Sequence, residues 1–194
     1  MPVSIGASEN TFANPIGLLS DCHRRIERFL QALLTVATEV AGGSLEAEHR
    51  RALETALKYF REAAPKHTAD EEEDLFPMLR QLASQRVSTV LTAVDRLEAE
   101  HKTAEAWHRE VEDIGERWLR QDHLSSEEAA HFRGLLASLS DLYRSHIATE
   151  EQDIFPVAQA ELPDSAKQVI GRHMASRRSA PFFSGLIVPI HPEA

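Results

Sequence analysis

The sequence predicts an all-α protein: an antiparallel up-down-up-down four-helix bundle with an additional short C-terminal helix and tail. Three observations predict it. The chain of 194 residues is rich in Ala, Leu, Glu and Arg, with only 8 Gly and 9 Pro, a composition that favours helix over strand. Apolar residues recur at alternating spacings of three and four along four long segments, as on helices that bury one face. The chain also repeats itself, so that its first two long helices read as a copy of the next two. Short connections between four such helices favour antiparallel neighbours around one core.

Residues 1–13 read as a loose N-terminal arm. Asn14 caps the first helix and Pro15 takes its first position. Ile16, Leu19, Ile26, Leu30, Leu33, Ala37 and Val40 form its buried stripe, with His23 inside that stripe. Gly42-Gly43 ends it. The second helix starts near Leu45. Its stripe runs through Leu53, Leu57, Phe60 and Ala64, turns polar at His67 and Glu71, and resumes at Leu75 and Met78. Pro65 should kink or restart this helix one turn before His67, and Pro77 should do the same near its far end. Residues 82–88 read as a turn. The third helix runs from about Thr89 to Leu119, with Val94, Leu97, His101, Ala104, His108, Val111 and Trp118 facing inward. Ser125-Ser126-Glu127-Glu128 has the character of a capping box. The fourth helix carries Phe132, Leu135, Leu139, Leu142, His146, Glu150 and Ile154 on one face. Pro163 opens a shorter helix to about Arg178, and an apolar tail follows. The chain thus divides into an arm (1–13), a bundle (14–161) and a C-terminal helix with tail (162–194).

Composition limits the function. A formal charge of -10 argues against binding a nucleic-acid backbone. One cysteine, Cys22, rules out an intrachain disulfide and fits a reducing cytoplasm. No segment has the roughly 20 apolar residues of a membrane-spanning helix, and the first residues lack the pattern of a signal peptide. Ten histidines need an account.

The repeat gives one. His67-Thr-Ala-Asp-Glu-Glu-Glu-Asp-Leu-Phe-Pro77 returns 79 residues later as His146-Ile-Ala-Thr-Glu-Glu-Gln-Asp-Ile-Phe-Pro156, identical at seven of eleven positions. His and Glu at i and i+4 share one helix face, about 6 Å apart along the axis. His23 and His101 are related by nearly the same offset, 78. In antiparallel helices a histidine early in one matches the depth of a histidine late in the next, so all four imidazoles can meet at one level. A carboxylate on a core-facing stripe is costly unless paired, protonated or bound to metal. His23, His67, Glu71, His101, His146 and Glu150 therefore form a candidate metal site, with Glu105 as an additional ligand candidate. Imidazole with carboxylate suits iron, manganese or zinc more than magnesium or calcium. Two carboxylates can bridge two ions about 3.5–4 Å apart.

These residues resemble the hemerythrin-like family, the HHE cation-binding domain, over roughly residues 14–160. The resemblance rests on His23, on His67 with Glu71 and its Phe-Pro continuation, on His101, and on His146 with Glu150 and its Phe-Pro. It implies two iron ions in a non-heme diiron centre, held by these residues with carboxylate and oxo or hydroxo bridges. It further implies binding, sensing or turnover of a small diatomic or peroxide ligand: oxygen, peroxide or nitric oxide. The sequence departs from the oxygen carriers of that family at two places. Glu105 stands where they have a second histidine in the third helix. Glu150, four residues after His146, takes the part of their aspartate five residues on, a position held here by Glu151. Four His and two Glu are closer to bacterial members linked to iron–sulfur repair, nitric oxide or peroxide.

Other residues receive plainer readings. Glu27 is expected in a salt bridge and Cys22 as a small buried thiol. His108 is expected in the core or beside a channel, and Tyr143 packs or hydrogen-bonds a bound ligand. Glu72, Glu73 and Asp74 read as a solvated acidic face. His49, His123, His131, His173 and His191 read as surface or loop residues. Three functions follow: a diiron protein, with peroxide consumption as its enzymatic form; a non-catalytic iron-binding or oxygen-sensing module; and a metal-free helical interaction domain. The apolar tail offers a surface for a homodimer.

Overall fold

Asn14 caps the first helix, its side chain accepting from the Gly17 N–H at 3.3 Å. The computed structural model describes residues 10–179, and every regular element among them is helical. In order these are α1 (Pro15–Glu39), α2 (Ala47–Glu62), α3 (Ala64–Ala69), a π-helical turn (Asp70–Leu75), α4 (Phe76–Arg80), α5 (Gln85–Ser88), α6 (Leu91–Gln121), α7 (Ser126–Thr149), a second π-helical turn (Glu150–Ile154), α8 (Phe155–Glu161) and α9 (Asp164–Ser179). Helix α1 packs on α2 and α7, and α6 packs on α7 and α2, so the four long helices close a ring. Helix α9 lies against α1 and the first π turn. The apolar tail, and with it the expected dimer surface, falls outside the described residues.

The two Phe-Pro pairs explain the π turns. Proline has no N–H and its ring clashes with the carbonyl four residues back. The residue before each proline bonds five back instead. Phe76 N–H donates to Glu71 O, and Phe155 N–H donates to Glu150 O. The expected kink at Pro77 is thus a widened turn, a form that recurs at functional sites, and both candidate carboxylates sit where it begins. Pro65 breaks the helix at Ala63 as predicted. Residues 82–88 hold more than a turn, since Gln85–Ser88 form the single-turn α5 and bury Val87. The arm is anchored from Asn10, whose N–H donates to Asp21 at 2.9 Å.

The core has two apolar layers with the polar centre between them. One holds Ile26, Leu30, Leu33, Leu53, Leu57, Val111, Trp118, Phe132, Leu136 and Leu139. The other holds Leu19, Leu75, Phe76, Leu79, Val94, Leu97, Ile154, Phe155, Ile170 and Met174. The far end of the first layer is closed by the two interhelix loops. Gly42, at φ +84°, accepts from Leu124 N–H at 2.8 Å, and the Trp118 indole donates to Gly43 O at 2.8 Å. The predicted capping box at Ser125 and Glu128 is present in both directions.

Candidate metal centre

Among the described residues, the buried polar and charged side chains are His23, His67, Asp70, Glu71, Asp74, His101, His146 and Glu150. Six of these are the residues singled out in the sequence. Their ligand atoms fall into two groups, His23–His67–Glu71–Glu150 and His101–His146–Glu71–Glu150, each within 4.8 Å. Each group takes its two imidazoles from one half of the chain. Both carboxylates belong to both groups. Glu71 Oε1 lies 3.3 Å from His67 Nε2 while its Oε2 lies 3.5 Å from His101 Nε2. Glu150 Oε2 lies 3.0 Å from His23 Nε2 while its Oε1 lies 3.4 Å from His146 Nε2.

The outer sides of the rings fix which nitrogen faces inward. His23 Nδ1–H donates to Glu151 at 3.0 Å, His101 Nδ1–H to Glu72 at 2.9 Å, and His146 Nδ1–H to Glu100 at 2.9 Å. A carboxylate at Nδ1 requires the proton there, which leaves Nε2 as the atom that faces the centre. Such carboxylate–imidazole pairs set tautomer and orientation at metal sites. Phe155 stacks on the His23 ring at 5.4 Å and Phe76 on His101 at 6.4 Å, closing the centre from the second apolar layer.

Both oxygens of Glu71, both oxygens of Glu150 and His23 Nε2 are buried without a hydrogen-bond partner. His23 Nε2 is close enough to Glu150 for charge attraction, but the geometry is not that of a hydrogen bond. Buried polar atoms are nearly always paired, and unpaired ones call for an ion or water. Here the orphaned atoms, four carboxylate oxygens and an imidazole nitrogen, converge as the donor set a cation needs. Burial and charge act together on the same groups. Burial, then the Glu150 charge, push the Glu71 carboxyl well above the usual range. Burial opposes charge on Glu150 too, yet His146 and His23 hold it below the usual range. Burial, then His23, lower His67 strongly. The set fits divalent or trivalent metal of borderline softness.

Other expectations meet mixed outcomes. Glu105, the additional ligand candidate, is turned outward, bonded to Arg109 at 3.0 Å, because its place on α6 faces solvent. Glu27 pairs with Arg24 at 3.3 Å and Cys22 is buried, as expected. His108 lies in the first apolar layer, stacked on Phe60 at 4.3 Å, and pairs with the Tyr143 hydroxyl at 2.9 Å. Asp74 corrects the reading of a solvated acidic face. It is buried, bonded to His173 at 2.5 Å and to Arg177 at 2.5 Å. Asp70, fully buried beside Glu71, takes Arg177 at 2.9 Å and Arg178 at 2.5 Å. Helix α9 thereby covers the face that the local sequence leaves to water. Sequence reasoning missed these two aspartates and the outer carboxylates Glu72, Glu100 and Glu151. The signal for Glu72 and Glu151 was their repetition beside each candidate glutamate.

A family model described as the hemerythrin HHE cation binding domain matches residues 14–158. The chain belongs to this family. A relative from Haemophilus influenzae, described as an uncharacterized protein, is 30% identical over 173 residues, covering 87% of this chain and 92% of its own length. The hemerythrin-like match ends before α9, so the Arg177–Arg178 clamp lies outside the matched span. The domain and the His/Glu clusters together make this a metal-binding hemerythrin-like protein.

Proposed function

We propose that the metal is a pair of iron ions and that the protein binds or turns over a small oxygen or nitrogen species: dioxygen, peroxide or nitric oxide. One observation carries this reading. Glu71 and Glu150 each offer one oxygen to a histidine pair of the first half and the other to a pair of the second. Carboxylates so shared suit two neighbouring ions rather than one. Iron in such a setting supplies redox electrons and a coordination position open to a small ligand.

The chain's own residues supply the rest. Glu72, Glu100 and Glu151 hold the imidazoles with Nε2 inward. The two apolar layers keep bulk water from the carboxylates, which strengthens every charge interaction inside. No helix among the described residues is long and apolar enough to cross a membrane. A cytoplasmic setting, inferred from the single cysteine, belongs to the proposal.

A sensing module is the second reading. It is favoured by the grip of α9 on Asp70 beside Glu71, which links the C-terminal helix to the centre. The two readings part on peroxide. Iron-loaded protein is mixed with peroxide and oxygen release is followed. Steady release that is lost in a His101→Ala variant depleted of iron supports the enzyme. Iron-dependent optical changes without turnover support the sensor. Absence of near-ultraviolet bands after iron loading, together with no optical response to peroxide or nitric oxide, sinks both.

A further inference from the structure

A cavity of about 260 Å³ opens beside α3 and α6, walled by Phe60, Pro65, Ala104 and His108 and rimmed by Glu72 and Lys102. A second void of about 10 Å³ lies within the centre, bounded by all four ligand histidines together with Ile26 and Ile147. That is about the space of one water-sized probe. Ala64, Thr68, His101 and Tyr143 line both spaces. These four residues therefore stand between the outer cavity and the inner void, and form the throat of any passage that joins the two.

The throat has a shape that the sequence explains. Ala64 and Thr68 are four apart on α3, one above the other on a single face, and both are small. Across from them stands Tyr143, its hydroxyl pinned by His108 at 2.9 Å. The offset of 79 that relates the two phrases relates Ala64 to Tyr143 and Thr68 to Ile147. The first half is thus small where the second half is large, so the passage opens on one side of a site whose ligands are otherwise matched. Nothing in the ligand set requires that asymmetry.

We propose that this passage is the ligand entrance to the centre, and that Thr68 and Tyr143 set its bore for an uncharged molecule of diatomic or peroxide size. The proposal rests on the diiron reading and adds the route and the residues that control it. A uncharged ligand fits because the throat is walled by a methyl, a hydroxyl and two rings with no free cation. The small inner void holds about one water-sized molecule and excludes much larger ones.

The test uses the full chain loaded with ferrous iron under anaerobic conditions, with nitric oxide as probe and association followed by rapid mixing. Thr68→Trp fills the throat and is expected to slow association about tenfold or more, while Tyr143→Ala widens it and is expected to speed association. Iron content is measured on each sample. Rates within about twofold of the unaltered chain in both iron-retaining variants overturn the proposal. Should Thr68→Trp lose iron, Tyr143→Ala decides alone, and an unchanged rate there overturns it. Crystals of the iron-loaded chain under xenon give a readout independent of reaction. Xenon beside Phe60 and Pro65 supports the entrance, and xenon bound in other cavities with none there contradicts it. Failure of nitric oxide to bind the unaltered chain would count against the diiron reading, leaving the xenon result to judge the passage.

Discussion

Glu71 and Glu150 hold equivalent places in the two repeated phrases, but their surroundings differ. Asp70 precedes Glu71 and is buried under Arg177 and Arg178, while Thr149 precedes Glu150 and accepts from Arg96 at 2.9 Å on the surface. Asp74 is buried in the same clamp, while its counterpart Asp153 is exposed. Glu100 orients His146, but the offset of 78 that pairs the first and third helices puts Cys22 in the corresponding place, and His67 Nδ1 has no hydrogen-bond partner. Ala64 faces Tyr143. The two halves repeat the candidate ligands and vary what supports them. The second half is supported by its own bundle helices. The first half leans on α9, an element that the repeat does not contain.

Removing a shared carboxylate should have the largest effect, and the same effect from each half. Glu71→Ala and Glu150→Ala are each expected to abolish binding of both ions, since each side chain serves both groups. Elemental analysis after metal loading should show a fall from about two metals per chain to a small fraction of one. A variant that keeps one full equivalent would break the symmetry claimed for the pair. The clamp comes next, and here the halves should part. Arg178→Met leaves Asp70 buried with a weakened set of partners, and urea denaturation should show a loss of about 3 kcal/mol. Asp153→Asn, at the exposed counterpart of Asp74, should stay within about 0.5 kcal/mol.

His108 gives a pH signature on the throat side. Burial pushes its imidazole down to about 4. The unfolded chain takes up a proton from about pH 6.5 downward, while the folded chain resists until about 4. The associated stability is present above the unfolded value and is lost as pH falls toward the folded one. Between pH 7 and pH 5 the loss should be about 2 kcal/mol. In His108→Phe that part of the pH dependence should vanish, as read by denaturation at the two pH values. The smallest expected effect concerns imidazole orientation. Glu100→Gln should weaken metal binding about tenfold in chelator competition. Cys22→Ser, at the corresponding place of the first half, should leave it unchanged.

The buried His/Glu cluster was legible in the sequence because it combines two local signals. His and Glu four apart mark one helix face, and apolar stripes on either side mark that face as buried. The repeat then located His23 and His101 without any view of the fold. The π turns left only the Phe-Pro pairs as a trace, since proline signals a disturbed helix but not whether it kinks or widens. Asp74 was misread, and Asp70 passed over, because their partners Arg177 and Arg178 lie more than 100 residues away. A run of acidic residues on a helix looks solvated until the element that covers it is known. Glu105 was misplaced for the converse reason. Its spacing from His101 matches a ligand position, and only the rotation of α6 in the bundle shows that it faces out.

The claim that Glu71 and Glu150 are shared between two ions is tested most directly by Mössbauer spectroscopy of the oxidised, iron-57-loaded full chain in an applied field. Two ferric ions joined through shared carboxylates should couple to a diamagnetic ground state. A spectrum of isolated paramagnetic ferric ions would contradict the shared-carboxylate centre.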